Sequence, residues 1–125
     1  MKHKGAGIVG WGVYIPPYRI KASEIASIWG FNDSVTNNLW IEEKAVGGID
    51  EDAITIGYRA ARYALARSGL KPHEIDAVFV GSESKPYAVK PSATVIGEAL
   101  GIQPRRLTSD LEFACRAGGE AMRIS

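Results

Sequence analysis

The residue of the sequence best suited to covalent chemistry is Cys115, the single cysteine among 125 residues. It follows the strand-like stretch Arg106 to Phe113 and precedes the pair Gly118 and Gly119. A thiol placed where a helix begins meets the positive end of the aligned peptide dipoles, which favours the nucleophilic thiolate. The glycines carry no side chain, so a substrate could approach the sulfur closely. The alternative is a packing role, because cysteine is among the most buried residue types.

Glu83 is the second candidate, since it comes shortly after the apolar run Ala77 to Val80. In an open α/β sheet the carboxyl ends of the strands form the ligand-binding edge, and both Glu83 and Cys115 follow predicted strands. A partly desolvated carboxylate at that edge is suited to proton transfer as a general acid or base. The alternative is a solvated loop glutamate, the commoner state of this residue type. The sequence therefore predicts that the thiol and the carboxylate share one cleft.

Other motifs give weaker signals or none. Trp40 and Lys44 could stack on and pair with a nucleotide-like group, although a tryptophan between two aliphatic residues more often fills a core. His3 and His73 share no metal-ligand spacing with Cys115, so no metal site is predicted. The glycine-rich pieces form neither GxGxxG nor a phosphate loop, which argues against a nucleotide-binding fold.

Length and composition indicate one small domain. A chain of 125 residues can bury roughly two-thirds of the surface that it exposes when unfolded, and 46% of the residues are apolar. The 15 Lys and Arg side chains nearly balance the 14 Asp and Glu side chains, so neither disorder nor a nucleic-acid partner is indicated. No apolar run is long enough for a signal peptide or a membrane span, and one cysteine cannot form an internal disulfide. The cytoplasm is therefore the expected location.

The spacing of apolar residues predicts an α/β domain with a mostly parallel sheet flanked by helices. Strands are predicted over three segments: Ile8 to Ile15, Ala77 to Val80 and Arg106 to Phe113. The second is expected to be a central strand covered on both faces, because it shows no polar alternation. Helices are predicted in four places: after Ser23, after Asp50 to Asp52, after Pro91 and from Ala117. Phe31 to Gly48 is predicted to be a long loop or a broken helix.

Four pieces of the sequence together resemble the N-terminal part of a thiolase-fold condensing enzyme, in particular the archaeal-type hydroxymethylglutaryl-CoA synthases. They are GIVGWGVYIPPYRI, EEKAV followed by DEDA, VGSESKPYAVKPSA and DLEFACRAG. Their order and intervals fit that family, and they span nearly all of the chain. The resemblance implies that residues 1–125 are an N-terminal thiolase-like half-domain, which we expect to be cut short soon after the helix that follows Cys115 begins.

The resemblance also implies roles for the two candidates. Cys115 would take an acetyl group from acetyl-CoA, and Glu83 would remove a proton from the acetyl methyl group so that it can attack the ketone of acetoacetyl-CoA. A thiolate accepts acyl groups, and a thioester acidifies the adjacent C–H bonds, so the residue types suit these roles. The related ketoacyl synthase III enzymes place a Trp-Ile pair and a basic residue at the mouth of their CoA tunnel. Trp40 and Lys44 resemble that arrangement.

Further implications concern substrates and partners. The resemblance implies acetyl-CoA and acetoacetyl-CoA as substrates, no permanently bound cofactor, and a place in mevalonate and isoprenoid synthesis. It also implies homodimerisation and, as in archaeal members, a complex with acetoacetyl-CoA thiolase and an OB-fold protein. Family members are two to three times as long, and their catalytic histidine and oxyanion-site residue lie in a second half that is missing from this sequence. We therefore expect the chain alone to be inactive or nearly so.

Two alternatives remain open at the level of sequence. A ketoacyl synthase III-like enzyme would use an acyl carrier protein, and it would rely on a His and Asn pair without needing a glutamate at the position of Glu83. A non-catalytic assembly module would instead expose the faces that normally meet the missing half or a dimer mate. Labelling of Cys115 by acetyl-CoA distinguishes catalysis from such a module.

Overall fold

The computed structural model describes residues 5–32 and 38–125. The chain forms two compact units, of which the smaller is Ile15–Glu51 and the larger combines the residues up to Tyr14 with Asp52–Ser125. None of the helices in the described ranges is both long and apolar enough to cross a membrane. Cys115 and Glu83 both belong to the larger unit.

An antiparallel pair of strands organises the smaller unit. β1 (Tyr18–Lys21) pairs with β2 (Glu43–Val46), and the register places Tyr18 opposite Val46. The prediction of a loop or broken helix over Phe31 to Gly48 is therefore wrong at β2. That strand, Glu-Lys-Ala-Val, does not alternate between polar and apolar side chains, so the sequence gives no strand pattern there. Residues 33–37 of the same segment lie outside the described residues.

Helix α1 (Ala22–Trp29) follows β1 directly. Its first turn is held by Glu24, whose carboxylate accepts the backbone N–H of Lys21 at 3.2 Å. It ends at Gly30, which has a φ of 66° in the left-handed region that glycine tolerates best. The helix predicted after Ser23 is thus confirmed, although it begins earlier, at Ala22.

Helix α2 (Ala53–Ser68) opens the second part of the larger unit, and it begins directly after Asp50 to Asp52, as the sequence predicted. Asp52 caps it, because the carboxylate accepts the N–H of Thr55 at 2.8 Å while the Asp52 N–H donates to the Thr55 hydroxyl at 2.7 Å. Gly69 ends it with a φ of 73°. A turn of 3-10 helix over Pro72–Glu74 then leads towards the next strand.

The strand predicted over Ile8 to Ile15 is wrong, because no such strand occurs in the described residues. A strand requires a ladder partner, and neither described sheet includes this segment. The segment instead follows α2 closely: a Cβ atom added to Gly12 would lie 2.1 Å from the carbonyl oxygen of Ala60. Arg67 stacks on the Trp11 ring at 4.3 Å and donates to the Trp11 carbonyl oxygen at 2.9 Å. The lack of a side chain at Gly12 therefore permits a close backbone approach to this helix.

A parallel strand pair with a helical crossover forms the centre of the larger unit. β3 (Ala77–Gly81) is followed by α3 (Ser92–Ala99) and then by β4 (Leu107–Leu111), which pairs in parallel with β3. The predicted parallel arrangement is confirmed. The prediction of a central strand covered on both faces is wrong for β3, because its residues are half-buried and β4 is its single neighbour among the described strands.

The last elements follow β4 without a long connection. A 3-10 turn over Ala114–Arg116 leads into α4 (Ala117–Ile124), which packs mainly on β3. The helix predicted from Ala117 is confirmed. The buried apolar residues of the larger unit are mostly small or aliphatic: Ile54, Ala93, Ile96, Ile102, Ala117 and Ala121.

Candidate active site

Cys115 lies on the 3-10 turn between β4 and α4, and its side chain is exposed. The preceding residue, Ala114, has a φ of 45°, a left-handed conformation that is uncommon for a residue with a side chain. Such strain tends to be kept where the surrounding structure requires a sharp turn, often at functional sites. The thiol thus stands at the amino end of a helix, as the sequence predicted, and its role as nucleophile stays a prediction.

The segment that carries Glu83 leaves the sheet at the same edge as the segment that carries Cys115. The register places Gly81, the end of β3, opposite Leu111, the end of β4. The N–H of Ser82 also donates to the Leu111 carbonyl oxygen at 3.1 Å, so the two segments stay paired one residue beyond the end of β3. Both Glu83 and Cys115 are exposed, so the described residues do not supply the partial desolvation expected around the carboxylate.

Asp110 connects this edge to the start of α3. It is the penultimate residue of β4, and its carboxylate accepts the backbone N–H groups of Ser92 and Ala93 at 2.6 and 2.8 Å. Those N–H groups have no partner within the helix, so the aspartate caps α3 from a neighbouring strand. The sequence offered one signal of this role, an acidic residue inside a strand, because such a residue needs partners when it is buried.

Lys85 adds an ion-pair network beside Glu83. Its ammonium group forms an ion pair with Glu112 and lies 3.8 Å from the Asp110 carboxylate, while its side chain is only 14% exposed. The hydrogen bond to Glu112 raises the pKa of Lys85 above its usual value, and the nearby charges of Asp110 and Glu83 act in the same direction. Sequence reasoning did not identify Lys85, because a lysine in a polar loop carries no pattern that reveals its partners.

Trp40 and Lys44 belong to the smaller unit. The Trp40 side chain is 94% exposed, and its backbone has a φ of 54°. The predicted alternative of a core tryptophan is therefore wrong. Lys44 lies on β2, is exposed, and donates to the carbonyl oxygen of Ala45 at 3.2 Å. Both side chains are accessible to a ligand, and their role in CoA binding stays a prediction.

The remaining titratable residues give no competing centre in the described ranges. Within residues 5–32 and 38–125, no group of three or more His, Cys, Asp or Glu side chains is placed to hold a metal ion. His73 lies on the 3-10 turn after α2, and its backbone carbonyl accepts the side-chain amide of Gln103 at 3.3 Å.

Comparison with solved structures defines the class of the fold. The priming β-ketosynthase of the R1128 polyketide pathway matches with a TM-score of 0.82 and 26% identity over 94% of this chain and 35% of that chain. An OleA structure from Xanthomonas campestris matches with a TM-score of 0.83 and 23% identity over 94% of this chain and 37% of that chain. The chain therefore has the thiolase-like fold of the condensing enzymes, as the sequence predicted.

Sequence comparison gives the finer resemblance. The hydroxymethylglutaryl-CoA synthase of Aeropyrum pernix is 62% identical over 96% of this chain, that of Thermococcus gammatolerans 59% over 95%, and that of Archaeoglobus fulgidus 54% over 94%. This confirms the predicted resemblance to archaeal hydroxymethylglutaryl-CoA synthases. The chain spans about a third of the length of these relatives, 33 to 35%. No family model matches the chain.

Proposed function

We propose that this chain contributes the nucleophile and the base of a hydroxymethylglutaryl-CoA synthase. The Cys115 thiolate attacks the thioester carbonyl of acetyl-CoA, the bond to the CoA sulfur breaks, and CoA leaves as a thiolate that takes up a proton. Glu83 then removes a proton from the methyl group of the acetyl-cysteine. The resulting carbanion bonds to the ketone carbon of acetoacetyl-CoA, whose oxygen takes up a proton. Water finally cleaves the thioester to Cys115 and releases the product.

The observation that carries the proposal is that β3 and β4 end opposite each other, at the same edge of the sheet. Because Gly81 pairs with Leu111, the segments that carry Glu83 and Cys115 both start from one edge of the sheet. Ligands bind at this edge in α/β folds. Identity of 62% to a hydroxymethylglutaryl-CoA synthase supports the choice of substrates. The exposure of both side chains fits an active site whose other wall, including the group that protonates the ketone oxygen, comes from outside the described residues.

For the binding of CoA thioesters we propose Trp40 and Lys44. An exposed indole can stack on an adenine ring, and an ammonium group can pair with a phosphate. One solved OleA structure is described with bound lauric acid and lauroyl-CoA, which supports a CoA thioester as the kind of substrate that this fold accepts. No permanently bound cofactor enters the proposed reaction.

The wider setting follows from the same resemblance. The proposed reaction would supply mevalonate and isoprenoid synthesis in the cytoplasm. The proposed assembly is a homodimer that associates with acetoacetyl-CoA thiolase and an OB-fold protein. These statements rest on the likeness to the archaeal relatives and are separate from the chemistry proposed for Cys115 and Glu83.

The proposal is tested by acetyl transfer in the protein expressed from its complete gene. Radioactive acetyl-CoA is expected to label Cys115 stoichiometrically, and addition of acetoacetyl-CoA should release the label as hydroxymethylglutaryl-CoA. The Cys115→Ala variant should take up no label. Condensation at the normal rate by Cys115→Ala would refute the assignment of the nucleophile. A folded wild-type protein that takes up no label would refute the proposal and favour a non-catalytic module.

A ketoacyl synthase III-like reaction is the second candidate, and the match to a priming β-ketosynthase at 26% identity favours it. It predicts that malonyl groups on an acyl carrier protein serve as the second substrate. It also predicts that removal of the Glu83 carboxylate leaves condensation intact. The two candidates are therefore separated by the substrate that discharges the acetyl-enzyme.

A further inference from the structure

We propose that Lys85 is a positioning residue that ties the Glu83 loop to the segment leading to Cys115, and thereby sets the reach of the Glu83 carboxylate. The inference rests on the proposed function, because it concerns how the base is held during condensation. Lys85 itself touches no substrate in this proposal.

The loop that carries Glu83 is anchored at both of its ends. The loop of residues 82–91 leaves β3 and returns to the chain at α3. At its start, the N–H of Ser82 donates to the Leu111 carbonyl oxygen at 3.1 Å. Beyond its end, the N–H groups of Ser92 and Ala93 donate to the Asp110 carboxylate. Both anchors are on β4, the strand that leads to Cys115.

Lys85 lies in the loop between these two anchors. It is two residues from Glu83 in the loop, and its ammonium group reaches Glu112, three residues before Cys115. The same group lies 3.8 Å from Asp110, which already caps α3. Lys85 is therefore the side chain that, within the described residues, joins the middle of the base-carrying loop to the stretch before the nucleophile.

Lys85 and Asp110 are largely shielded from solvent. The side chains of Lys85 and Asp110 are only 14% and 7% exposed, so solvent screens their interaction less than that of a surface pair. The charge-assisted contact of Lys85 with Glu112 fixes geometry more firmly than a neutral hydrogen bond does. The Glu112 side chain is 60% exposed, and Glu112→Gln leaves the Asp110 carboxylate, 3.8 Å away, as the remaining partner of the Lys85 ammonium group.

Lys90 supplies a matched control in the same loop. Its ammonium group lies 5.3 Å from the centre of the Tyr87 ring, a contact within the loop. Lys90→Met therefore removes the same charge as Lys85→Met at nearly the same place, but it leaves the tie between the loop and β4 intact.

The test compares the two half-reactions in the protein expressed from its complete gene. Lys85→Met should acetylate Cys115 within about twofold of the wild-type rate, whereas condensation with acetoacetyl-CoA should fall about tenfold or more, since misplacement by 1 Å can cost about a hundredfold. Glu112→Gln should act in the same direction, and the double variant should be no slower than the slower single variant. Lys85→Arg should restore most of the condensation rate, and Lys90→Met should behave as wild type.

Several results would overturn the proposal. They are normal condensation by Lys85→Met, an equal loss of both half-reactions, or the same loss in Lys90→Met. If Lys85→Met does not fold, the Glu112→Gln variant alone tests the proposal. Normal condensation by Glu112→Gln would then show that the Lys85–Glu112 ion pair does not position Glu83. Absence of Cys115 acetylation in the wild-type protein would overturn the proposed function and this inference together, whereas wild-type activity combined with unaffected variants would overturn this inference only.

Discussion

Gly81, the last residue of β3, lies directly against the backbone of Ala117, the first residue of α4. A Cβ atom added to Gly81 would lie 2.2 Å from the Ala117 carbonyl oxygen and 2.3 Å from its carbonyl carbon. Real Cβ atoms do not approach a backbone group this closely, and the backbone of a helix cannot move aside as a flexible side chain can. The lack of a side chain at Gly81 therefore sets how closely the strand before Glu83 approaches the helix after Cys115.

Gly81→Ala is expected to destabilise the protein by about 1–3 kcal/mol or more, because the added methyl group overpacks a contact that cannot relax. The change should also slow both acetylation and condensation, since it moves the Cys115 turn away from β3. Thermal unfolding and single-turnover acetylation of the protein from its complete gene measure the two effects. Gly7→Ala is the control, because an added Cβ there meets nothing within 4 Å in the described part of the chain. Equal melting temperatures for Gly81→Ala and wild type would contradict this account.

Local signals explain which elements the sequence could predict. Helix α2 was predictable because both of its ends have local signals. The Asp52 side chain caps the start of the helix, and Gly69 adopts the left-handed conformation that ends it. The strand β3 was predictable because its short apolar run is typical of a strand, although the burial on both faces that the run indicated is not found. Placement of Cys115 and Glu83 at one sheet edge followed from these elements, since strands that run parallel end at the same side.

Tertiary relationships explain the rest. The segment with Gly12 has the composition of a strand, yet a strand forms only where a neighbouring strand pairs with it. In the described residues this segment packs against α2 and pairs with no strand. The pairing of β2 with β1 was missed because it joins short polar segments far apart in the sequence. The partners of Lys85 and Asp110 were missed for the same reason, because they depend on the register of β3 and β4.

Replacement of Glu83 tests the assignment of the base. Glu83→Gln keeps the size of the side chain but cannot accept the methyl proton, so acetylation of Cys115 should persist while condensation falls by about 10² to 10⁴. Single-turnover assays that follow acetyl-enzyme formation and its discharge by acetoacetyl-CoA separate the two steps. The neighbouring Ser84→Ala is the control, and it should condense normally. A Glu83→Gln variant that condenses at the wild-type rate would show that another group is the base.

Asp52 gives a prediction on acid stability. The backbone hydrogen bond from Thr55 is the main reason that the pKa of Asp52 falls below 3.8, because the bond favours the charged carboxylate. A lowered folded-state pKa means that the stabilisation is complete above about pH 4 and is lost as the pH falls through the lower folded value. Asp52→Ala should therefore destabilise the protein by about 1 kcal/mol at neutral pH, and its melting temperature should converge with that of wild type in acid.

Asp52→Asn separates charge from capping. Asparagine keeps an oxygen that can accept the Thr55 N–H but does not titrate in this range, so its stabilisation should not depend on pH through this group. Melting temperatures of the three proteins between neutral pH and pH 3 measure the effect. A difference between wild type and Asp52→Ala that stays constant down to the lowest pH would argue against the carboxylate as the source of the cap.

Replacement of Trp40 tests the proposed CoA contact. The side chain is 94% exposed, so its loss should leave the melting temperature nearly unchanged. If the indole stacks on the adenine of the substrate, Trp40→Ala should raise KM for acetyl-CoA about threefold to tenfold, with little change in kcat, because the contact is made equally in the ground state and the transition state.

Trp29 at the end of α1 is the matched control for this variant, because it is a second tryptophan of the same unit and is 72% exposed. Trp29→Ala removes the same apolar surface without touching the proposed contact, so its KM for acetyl-CoA should equal that of wild type. Equal KM values for Trp40→Ala and Trp29→Ala would mean that the adenine binds elsewhere. A fall in kcat with an unchanged KM would place Trp40 in the organisation of the catalytic residues, because only an interaction specific to the transition state produces that pattern.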